Sequence, residues 1–195
     1  MDDIVRQAMA KWPNVPDCYG WLALDARGAW RMRDERAQQR GELGDKLAHE
    51  ALIGFINRNY GADGRGCWFF QNGPQRVFVN LEAAPFIART DPAQGLLLHT
   101  GEALARLDRA FMTEAGALIV QGDGKTAQLD DRDAAQLFAA LLLDGEPAGD
   151  DALLAWLDGS PGEIGLPILK QVVPVQRIRA ADVPARFGFA RAPAP

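Results

Sequence analysis

The chain has few of the residues that usually bind metals. Its 195 residues include only two cysteines and two histidines. These residues form no C-x-x-C or H-x-x-x-H unit, the spacing that is typical of structural zinc sites. We therefore predict no metal and no cofactor, with buried thiols and partly exposed histidines. The sequence leaves open whether these four residues meet in the folded chain: Cys18, His49, Cys67 and His99.

The sequence also lacks the local patterns of nucleophilic catalysis. The single serine, Ser160, stands in Gly-Ser-Pro-Gly, which is typical of a turn and not of a nucleophile elbow. A cysteine activated by His49 is an alternative that only folding can assemble. Candidate acid–base carboxylates have no fixed separation, and hairpin turns favour aspartate at the position of Asp25. We predict no catalytic residue; the carboxylates considered are Asp25, Asp34, Glu35 and Glu82.

An excess of basic charge and long apolar runs are missing as well. The formal net charge is −5 and the Lys and Arg residues are scattered, whereas nucleic-acid binding needs clusters of them. The longest apolar run, residues 137–143, is too short to cross a bilayer, and the N-terminus has no signal-peptide pattern. Glycine-rich stretches at 61–66 and 122–126 precede predicted strands, whereas phosphate-binding loops precede helices. We therefore predict a cytoplasmic bacterial protein that binds neither nucleic acid nor membranes.

The most informative part of the chain is a dense aromatic stretch at residues 67–82. Residues 77–81 alternate apolar and polar side chains except at Phe78, as in a strand with one buried face. The Asn-Gly pair before Pro74 is a strong hairpin signal, but proline has no N–H to close a two-residue turn at that position. We therefore predict two strands joined by a longer loop, with Arg76 at the base of the second strand.

This stretch also supplies the candidate binding residues. Arg76, with amide side chains at the mouth of the loop, can hold a carboxylate or phosphate, and its guanidinium can stack on Phe69 or Phe78. The alternative is a surface cation–π contact or a salt bridge with Glu82. One thin sheet face cannot bury all the aromatic side chains, so we expect some of them to form a binding patch. The predicted ligand- or partner-binding residues are Arg76, Asn72, Gln75, Phe78, Trp68 and Trp30.

The two halves of the chain resemble each other. In residues 22–32 and again in residues 110–120, an acidic residue precedes a glycine, which alanine and a large apolar residue follow. A helical pattern and further strands come next in both halves. We predict an α+β fold of two similar lobes from a degenerate internal repeat, each a small antiparallel sheet with a packed helix. The predicted lobes are residues 1–92, with an N-terminal helix, and residues 93–195, with a frayed C-terminal tail.

Two stretches carry a resemblance to known families. Residues 12–35 and 68–79 resemble an uncharacterised bacterial family, a domain of unknown function of the 2944/2946 type. A looser pattern is similar to domain of unknown function 1285, although an alanine pair at 83–84 replaces the acidic pair of that family. This second resemblance implies a repeated α+β motif and a role in signal transduction, and neither implies a catalytic residue. The residues that carry the looser pattern are Asp25, Gly28, Trp30, 52–56, Trp68 and Pro85-Phe86.

Two functional hypotheses follow from these features. The first is a non-catalytic cytoplasmic binding or signalling module, in which Arg76→Ala or Phe78→Ala keeps the fold but loses a protein partner. The alternative is a binding protein or enzyme that holds a small anionic ligand in a cleft between the lobes. A concave pocket containing Arg76 favours the alternative, whereas a flat aromatic patch favours the first hypothesis.

Overall fold

The computed structural model describes all residues from 1 to 195, and they form two compact units. The first unit comprises residues 1–85 together with 187–195, and the second comprises residues 86–186. Each unit contains helices and one β-sheet, so the predicted α+β class is confirmed. None of the six α-helices combines the length and the apolar composition that crossing a bilayer requires.

The first unit contains a six-stranded mixed sheet. Its helices are α1 (Asp3–Lys11), α2 (Glu35–Arg40) and α3 (Glu50–Arg58). Its strands are β1 (Cys18–Leu24), β2 (Trp30–Met32), β3 (Asp45–Lys46), β4 (Tyr60–Ala62), β5 (Trp68–Asn72) and β6 (Gln75–Leu81). The strand order is β3-β2-β1-β6-β5-β4, with β1 and β6 parallel and every other neighbouring pair antiparallel.

One face of this sheet packs against α3. The Phe55 ring of the helix meets the Phe70 ring of β5 edge to face, with centroids 5.4 Å apart. The indole N–H of Trp30 donates to the Asn57 side chain at 2.8 Å, so this buried tryptophan has a polar partner on the same helix. The alternation in β6 places Val79 on the core face, as the sequence predicts.

The β5–β6 connection differs from the predicted longer loop. Asn72 pairs with Gln75, so the strands are joined by a two-residue turn formed by Gly73 and Pro74. Gly73 has φ +58°, which the first position of such a turn requires. Proline fits the second position of a type II′ turn, because its φ is fixed near −65° and this position needs no N–H bond. The turn is therefore displaced by one residue from the Asn-Gly pair.

The second unit contains a ten-stranded mixed sheet in the order β14-β13-β15-β16-β10-β11-β12-β7-β8-β9. Its strands are β7 (Phe86–Asp91), β8 (Gly95–Leu98), β9 (Ala103–Leu104), β10 (Arg109–Thr113), β11 (Leu118–Gly122), β12 (Lys125–Leu129), β13 (Leu142–Leu143), β14 (Glu146–Pro147), β15 (Ile164–Ile168) and β16 (Gln171–Ile178). Helices α4 (Ala134–Ala140) and α5 (Asp150–Leu157) lie within it, and α6 (Val183–Phe187) ends at its boundary with the first unit. The pairs β10–β16 and β7–β12 are parallel.

The two sheets share a common strand order. The series β3-β2-β1-β6-β5-β4 corresponds to β12-β11-β10-β16-β15-β13, with the parallel pair at the same place in each. In the first unit the Glu82 carboxylate accepts from the Ala26 N–H at 2.6 Å, which ties the β1–β2 turn to the end of β6. In the second, the Glu114 carboxylate accepts from the Ala180 N–H at 2.8 Å at the equivalent place. Descent from an internal repeat stays a prediction.

The prediction that each sheet is antiparallel is wrong, because the central pairs β1–β6 and β10–β16 are parallel. A chain segment of 50 residues separates the end of β1 from the start of β6, and it includes α3. Such a connection can return the chain to the same end of the sheet, whereas a short turn produces only antiparallel neighbours. Local sequence patterns therefore cannot predict which strand is the parallel partner of β1.

The unit boundaries also differ from the predicted lobes. Strand β7 pairs with β8 and β12, so residues 86–92 belong to the second unit. The C-terminal residues return to the first unit, where the Ala190 N–H donates to the Gly66 carbonyl at 3.0 Å and the Leu81 N–H donates to the Arg191 carbonyl at 2.8 Å. Pro193 is buried, whereas Ala192, Ala194 and Pro195 are exposed, so the packed part of the C-terminal segment extends to Pro193.

Candidate functional site

Arg76 and Gln71 lie side by side at the start of the β5–β6 hairpin. They are directly opposite residues on the two strands, so their side chains leave the same face of the sheet. Phe69 and Phe78 form the next pair on that face. The Arg76 guanidinium lies over the Phe69 ring, 4.9 Å from its centroid, which is one of the two stackings expected from the sequence.

These two polar side chains line a cavity of about 570 Å³ within the first unit. Residues 12–17 form one wall, Met9 of α1 adds to it, and Pro74 lies at the hairpin turn. The Gln75 amide donates to the Pro16 carbonyl at 3.0 Å and fixes the linker against the hairpin. Two prolines stiffen this linker, because each fixes its own φ. Gln75, a predicted binding residue, therefore shapes the wall of the cavity and does not line it.

Gln71 is buried, with 1% of its surface exposed, and only half of its amide group is paired. Its Nε2 donates to the Gly73 carbonyl at 2.9 Å, and because a carbonyl only accepts, this contact fixes which amide atom is the nitrogen. No protein group donates to Oε1. A buried acceptor without a donor costs about 1–3 kcal/mol, and Oε1, which has almost no accessible surface, carries this cost within the folded chain.

Arg76 is half-buried and forms no ion pair; its one polar contact is with the Phe69 ring. The alternative salt bridge with Glu82 is not formed, since that carboxylate accepts from the Ala26 backbone instead. Asp17, in the linker wall of the cavity, is exposed and makes no hydrogen bond. The cavity lining thus contains a cation and an anion that form no ion pair with each other.

Replacing Gln71 by methionine is expected to stabilise the protein by about 0.5–1.5 kcal/mol. The substitution keeps the shape of the side chain and removes the unsatisfied Oε1 acceptor, while the partly exposed Gly73 carbonyl can bond to water instead. Urea unfolding measures the change. Gln75→Met is the matched control on the same hairpin, and it should be neutral or destabilising because it breaks the bond to Pro16. A loss of stability in Gln71→Met would show that Oε1 is satisfied within the folded chain.

The other predicted binding residues lie outside the cavity lining. Phe78 has 1% of its surface exposed and stacks on Tyr19 with centroids 4.6 Å apart. Trp30 is buried under α3, and Trp68 packs on the Tyr60 ring at 4.8 Å. Asn72 is exposed at the turn. The expected surplus of aromatic surface is thus mostly core, because side chains on both faces of the sheet are covered.

The thiols and imidazoles have structural environments. Burial raises the pKa of the Cys67 thiol and that of the Cys18 thiol, which lowers the nucleophilic thiolate fraction. The His49 ring caps α3 by accepting from the Leu52 N–H at 3.2 Å, and His99 Nδ1 accepts from the Ile87 N–H in the second unit. No three His, Cys, Asp or Glu side chains are grouped so that they could hold a metal ion.

The remaining candidate residues support turns and helix ends. Asp25 is buried, pairs with Arg31 at 2.7 Å and accepts backbone N–H groups of its own turn. Asp34 caps α2, whereas Glu35 is exposed in the first turn of that helix. Ser160 follows α5, and its N–H donates to the Ala155 carbonyl. The two glycine-rich stretches connect β4 to β5 and β11 to β12, so both lead into strands.

Comparison with known proteins bears on the family and the fold. Residues 1–194 match the family DUF2944, described as a protein of unknown function (DUF2946). The structure is similar to a DUF1285 family protein from Silicibacter pomeroyi DSS-3, with 14% identity, 84% of each chain covered and a TM-score of 0.51. A DUF1285 family protein from Shewanella baltica OS155 shares 15% identity over 60% of this chain and 88% of its own, with a TM-score of 0.41. A search among curated proteins gives no match.

Both resemblances expected from the sequence are confirmed, but they support different conclusions. At 14% identity the Silicibacter pomeroyi structure supports a shared fold and nothing about a ligand. The family match spans almost the whole chain. The chain therefore belongs to the DUF2944 family, whose function is unknown.

Proposed function

We propose that the protein is a non-catalytic binding protein that holds a small anionic molecule in the cavity lined by Arg76. The observation that carries this proposal is a half-buried arginine without a counter-ion in the lining of the cavity. A bound anion would supply the missing counter-ion. No carboxylate of the protein forms an ion pair with Arg76 within the cavity.

The chemistry of arginine favours an anion with two oxygens. Its planar guanidinium presents parallel N–H donors that fit a carboxylate or phosphate. The stacking on Phe69 orients the guanidinium plane before a ligand arrives, so less rotational freedom is lost on binding. A volume of about 570 Å³ lies within the range of small-molecule sites, which is about 300–1,000 Å³.

The lining favours binding over catalysis and a small molecule over a flat partner surface. It includes no serine, cysteine or histidine that could act as nucleophile or general base. The aromatic side chains that would form a flat patch are largely core residues, as Phe78 and Trp30 show. The cavity is lined by residues of the first unit, so the proposed site differs from the cleft between lobes that the sequence suggested.

Arg76→Gln is expected to abolish ligand-induced stabilisation in a thermal-shift screen of carboxylates and phosphates. A ligand at about 100 times its Kd stabilises the native state by about 2.7 kcal/mol, and most of this should vanish without the guanidinium. The stability of the unliganded variant should change by no more than about 1 kcal/mol, because only a cation–π contact is lost.

Arg177→Gln is the matched control for this variant. Arg177 is also a strand arginine stacked on an aromatic ring, 4.4 Å from the Trp156 centroid, but it lies in the second unit. The control removes the same charge and the same kind of ring contact, together with a hydrogen bond to the Ser160 carbonyl, and should keep every ligand-induced shift. Shifts that survive in Arg76→Gln, or a screen in which no anion stabilises the protein, would contradict the proposal.

A further inference from the structure

We infer that the second unit has a separate binding site for a small aromatic molecule without a negative charge. The site is a cavity of about 200 Å³ between the β10–β11 turn and helix α4. Buried leucines line its inner part, whereas exposed residues of the turn and of the segment before α4 open it to solvent. The buried leucines are Leu118, Leu129 and Leu137, and the exposed residues are Ala115 and Asp131. No residue of this lining belongs to the cavity at Arg76, so the inference does not depend on the function proposed above.

The β10–β11 turn beside this cavity is built like the β1–β2 turn of the first unit. In the first unit, the Asp25 N–H donates to the Ala29 carbonyl at 3.0 Å, and the Ala29 N–H donates back to the Asp25 side chain. In the second unit, the Thr113 N–H donates to the Ala117 carbonyl at 3.0 Å, and the Ala117 N–H donates back to the Thr113 hydroxyl. The residue that follows each of these turns therefore occupies an equivalent position on its strand.

The side chains at this equivalent position differ in size. In the first unit the residue is Trp30, whose buried indole lies under α3 and donates to the Asn57 side chain. In the second unit it is Leu118, which lines the cavity together with Leu137 and Phe138 of α4. Leucine lacks the two fused rings that fill the corresponding space beneath α3. The group that is missing here indicates the ligand: a planar aromatic molecule of about the size of indole.

The volume and the apolar lining agree with an aromatic ring. An apolar cavity of about 150 Å³ is large enough to bind benzene, and this cavity is somewhat larger. Its leucine side chains offer water no hydrogen bonds, so a ring that enters gains by leaving water. The Phe138 ring in the lining adds an aromatic contact.

The charges at the cavity exclude an anion. Asp130 and Asp131 belong to the lining, which contains no lysine, arginine or histidine. Arg132 pairs with Asp130, so Asp131 leaves the lining with a net negative charge. A carboxylate or phosphate on the ligand would be repelled, whereas a neutral or cationic ring would not. The expected ligand is thus opposite in charge to the one proposed for the cavity at Arg76.

An NMR titration of the ¹⁵N-labelled protein with indole, tryptamine and indole-3-acetate tests the inference. We expect indole to cause saturable shifts of the backbone amides at residues 115–118, with a Kd of about 1 mM or less. At these residues indole-3-acetate should bind at least about 10-fold more weakly than tryptamine, because only its charge is repelled. Reading the shifts at these residues separates this site from any binding of the acetate at Arg76.

Variants that fill the cavity assign the binding to it. Leu118→Trp supplies the missing rings from the equivalent strand position, so it should fold and lose the shifts caused by indole. Ala134→Leu narrows the cavity from α4 and should weaken indole binding at least about 10-fold. Ala139→Leu is the matched control on the exposed side of the same helix and should bind indole within about 2-fold of the unmodified chain. If Leu118→Trp does not fold, Ala134→Leu decides the same question.

Several outcomes would overturn the inference without affecting the proposed function. These are the absence of saturable shifts at residues 115–118 with about 5 mM indole, or unchanged indole binding in Ala134→Leu. Tighter binding of indole-3-acetate than of tryptamine at these residues would contradict the inference as well. Arg76→Gln should bind indole like the unmodified chain, and a loss of indole binding in this variant would show that the two sites are not separate.

Discussion

Phe78→Ala is expected to lower the free energy of unfolding of the first unit by about 3–5 kcal/mol. The ring is 1% exposed, stacks on Tyr19 at an interplanar angle of 2° and lies 5.7 Å from the Phe69 centroid. Its removal leaves a cavity in a cluster that also contains Cys67 and Ala190. Unfolding in urea, followed by circular dichroism, measures the loss. This result replaces the expectation from the sequence that Phe78→Ala leaves folding intact.

Trp21→Ala is the control for this substitution. Trp21 is an aromatic residue on the neighbouring strand β1, and 43% of its surface is exposed. Its truncation should lower the free energy of unfolding by about 1 kcal/mol or less, because the side chain is open to solvent and its removal leaves no closed cavity. If Phe78→Ala costs no more than Trp21→Ala, the ring is not a core residue.

Gly66→Ala is expected to lower the free energy of unfolding by about 3 kcal/mol or more. Gly66 has φ +75°, where a side chain is strained by about 1 kcal/mol, and a Cβ atom there would lie 2.1 Å from the Gly188 carbonyl oxygen. The neighbouring C-terminal segment cannot withdraw without losing the bond from the Ala190 N–H to the Gly66 carbonyl. Urea unfolding gives the loss of stability, and limited proteolysis reports release of the C-terminal segment.

Gly64→Ala is a control in the same turn. No atom lies within 4 Å of a Cβ placed at Gly64. The substitution should therefore change stability by no more than about 0.5 kcal/mol and leave the C-terminus protected. Equal effects of the two substitutions would show that the turn, and not the packed C-terminal segment, limits what position 66 accepts.

Local sequence patterns explain part of the fold. The alternation in residues 77–81 predicts a strand because one face of β6 packs on the core beneath α3. Phe78 interrupts the polar side of this pattern, and the structure gives the reason: the second face is also covered, in part by Ala190 near the C-terminus. A contact across more than 100 residues leaves no local signal in the sequence. The parallel pairing of β1 with β6 is hidden for the same reason.

The site could be predicted only in part. Arg76 could be singled out because a loop precedes it and aromatic residues surround it. Gln71 was missed, since a lone amide in an aromatic strand has no distinctive composition and its importance depends on the exact turn. Once Gly73 and Pro74 are assigned as the two turn residues, the pairing of Gln71 with Arg76 follows directly. The proline-containing stretch at 13–17 suggested a linker, and its place as a cavity wall comes from tertiary contacts.

An NMR titration of the ¹⁵N-labelled protein with N-acetylleucine and with 4-methylpentanoate tests the anion site at Arg76 most directly. We expect saturable shifts of the Arg76 Nε–H, of the Gln71 side-chain amide and of the backbone amides around residues 12–17 with at least one of the two carboxylates. The same titration of Arg76→Gln should show none of these shifts. Saturable shifts confined to other parts of the chain, or identical titrations of both proteins, would contradict a binding site at Arg76.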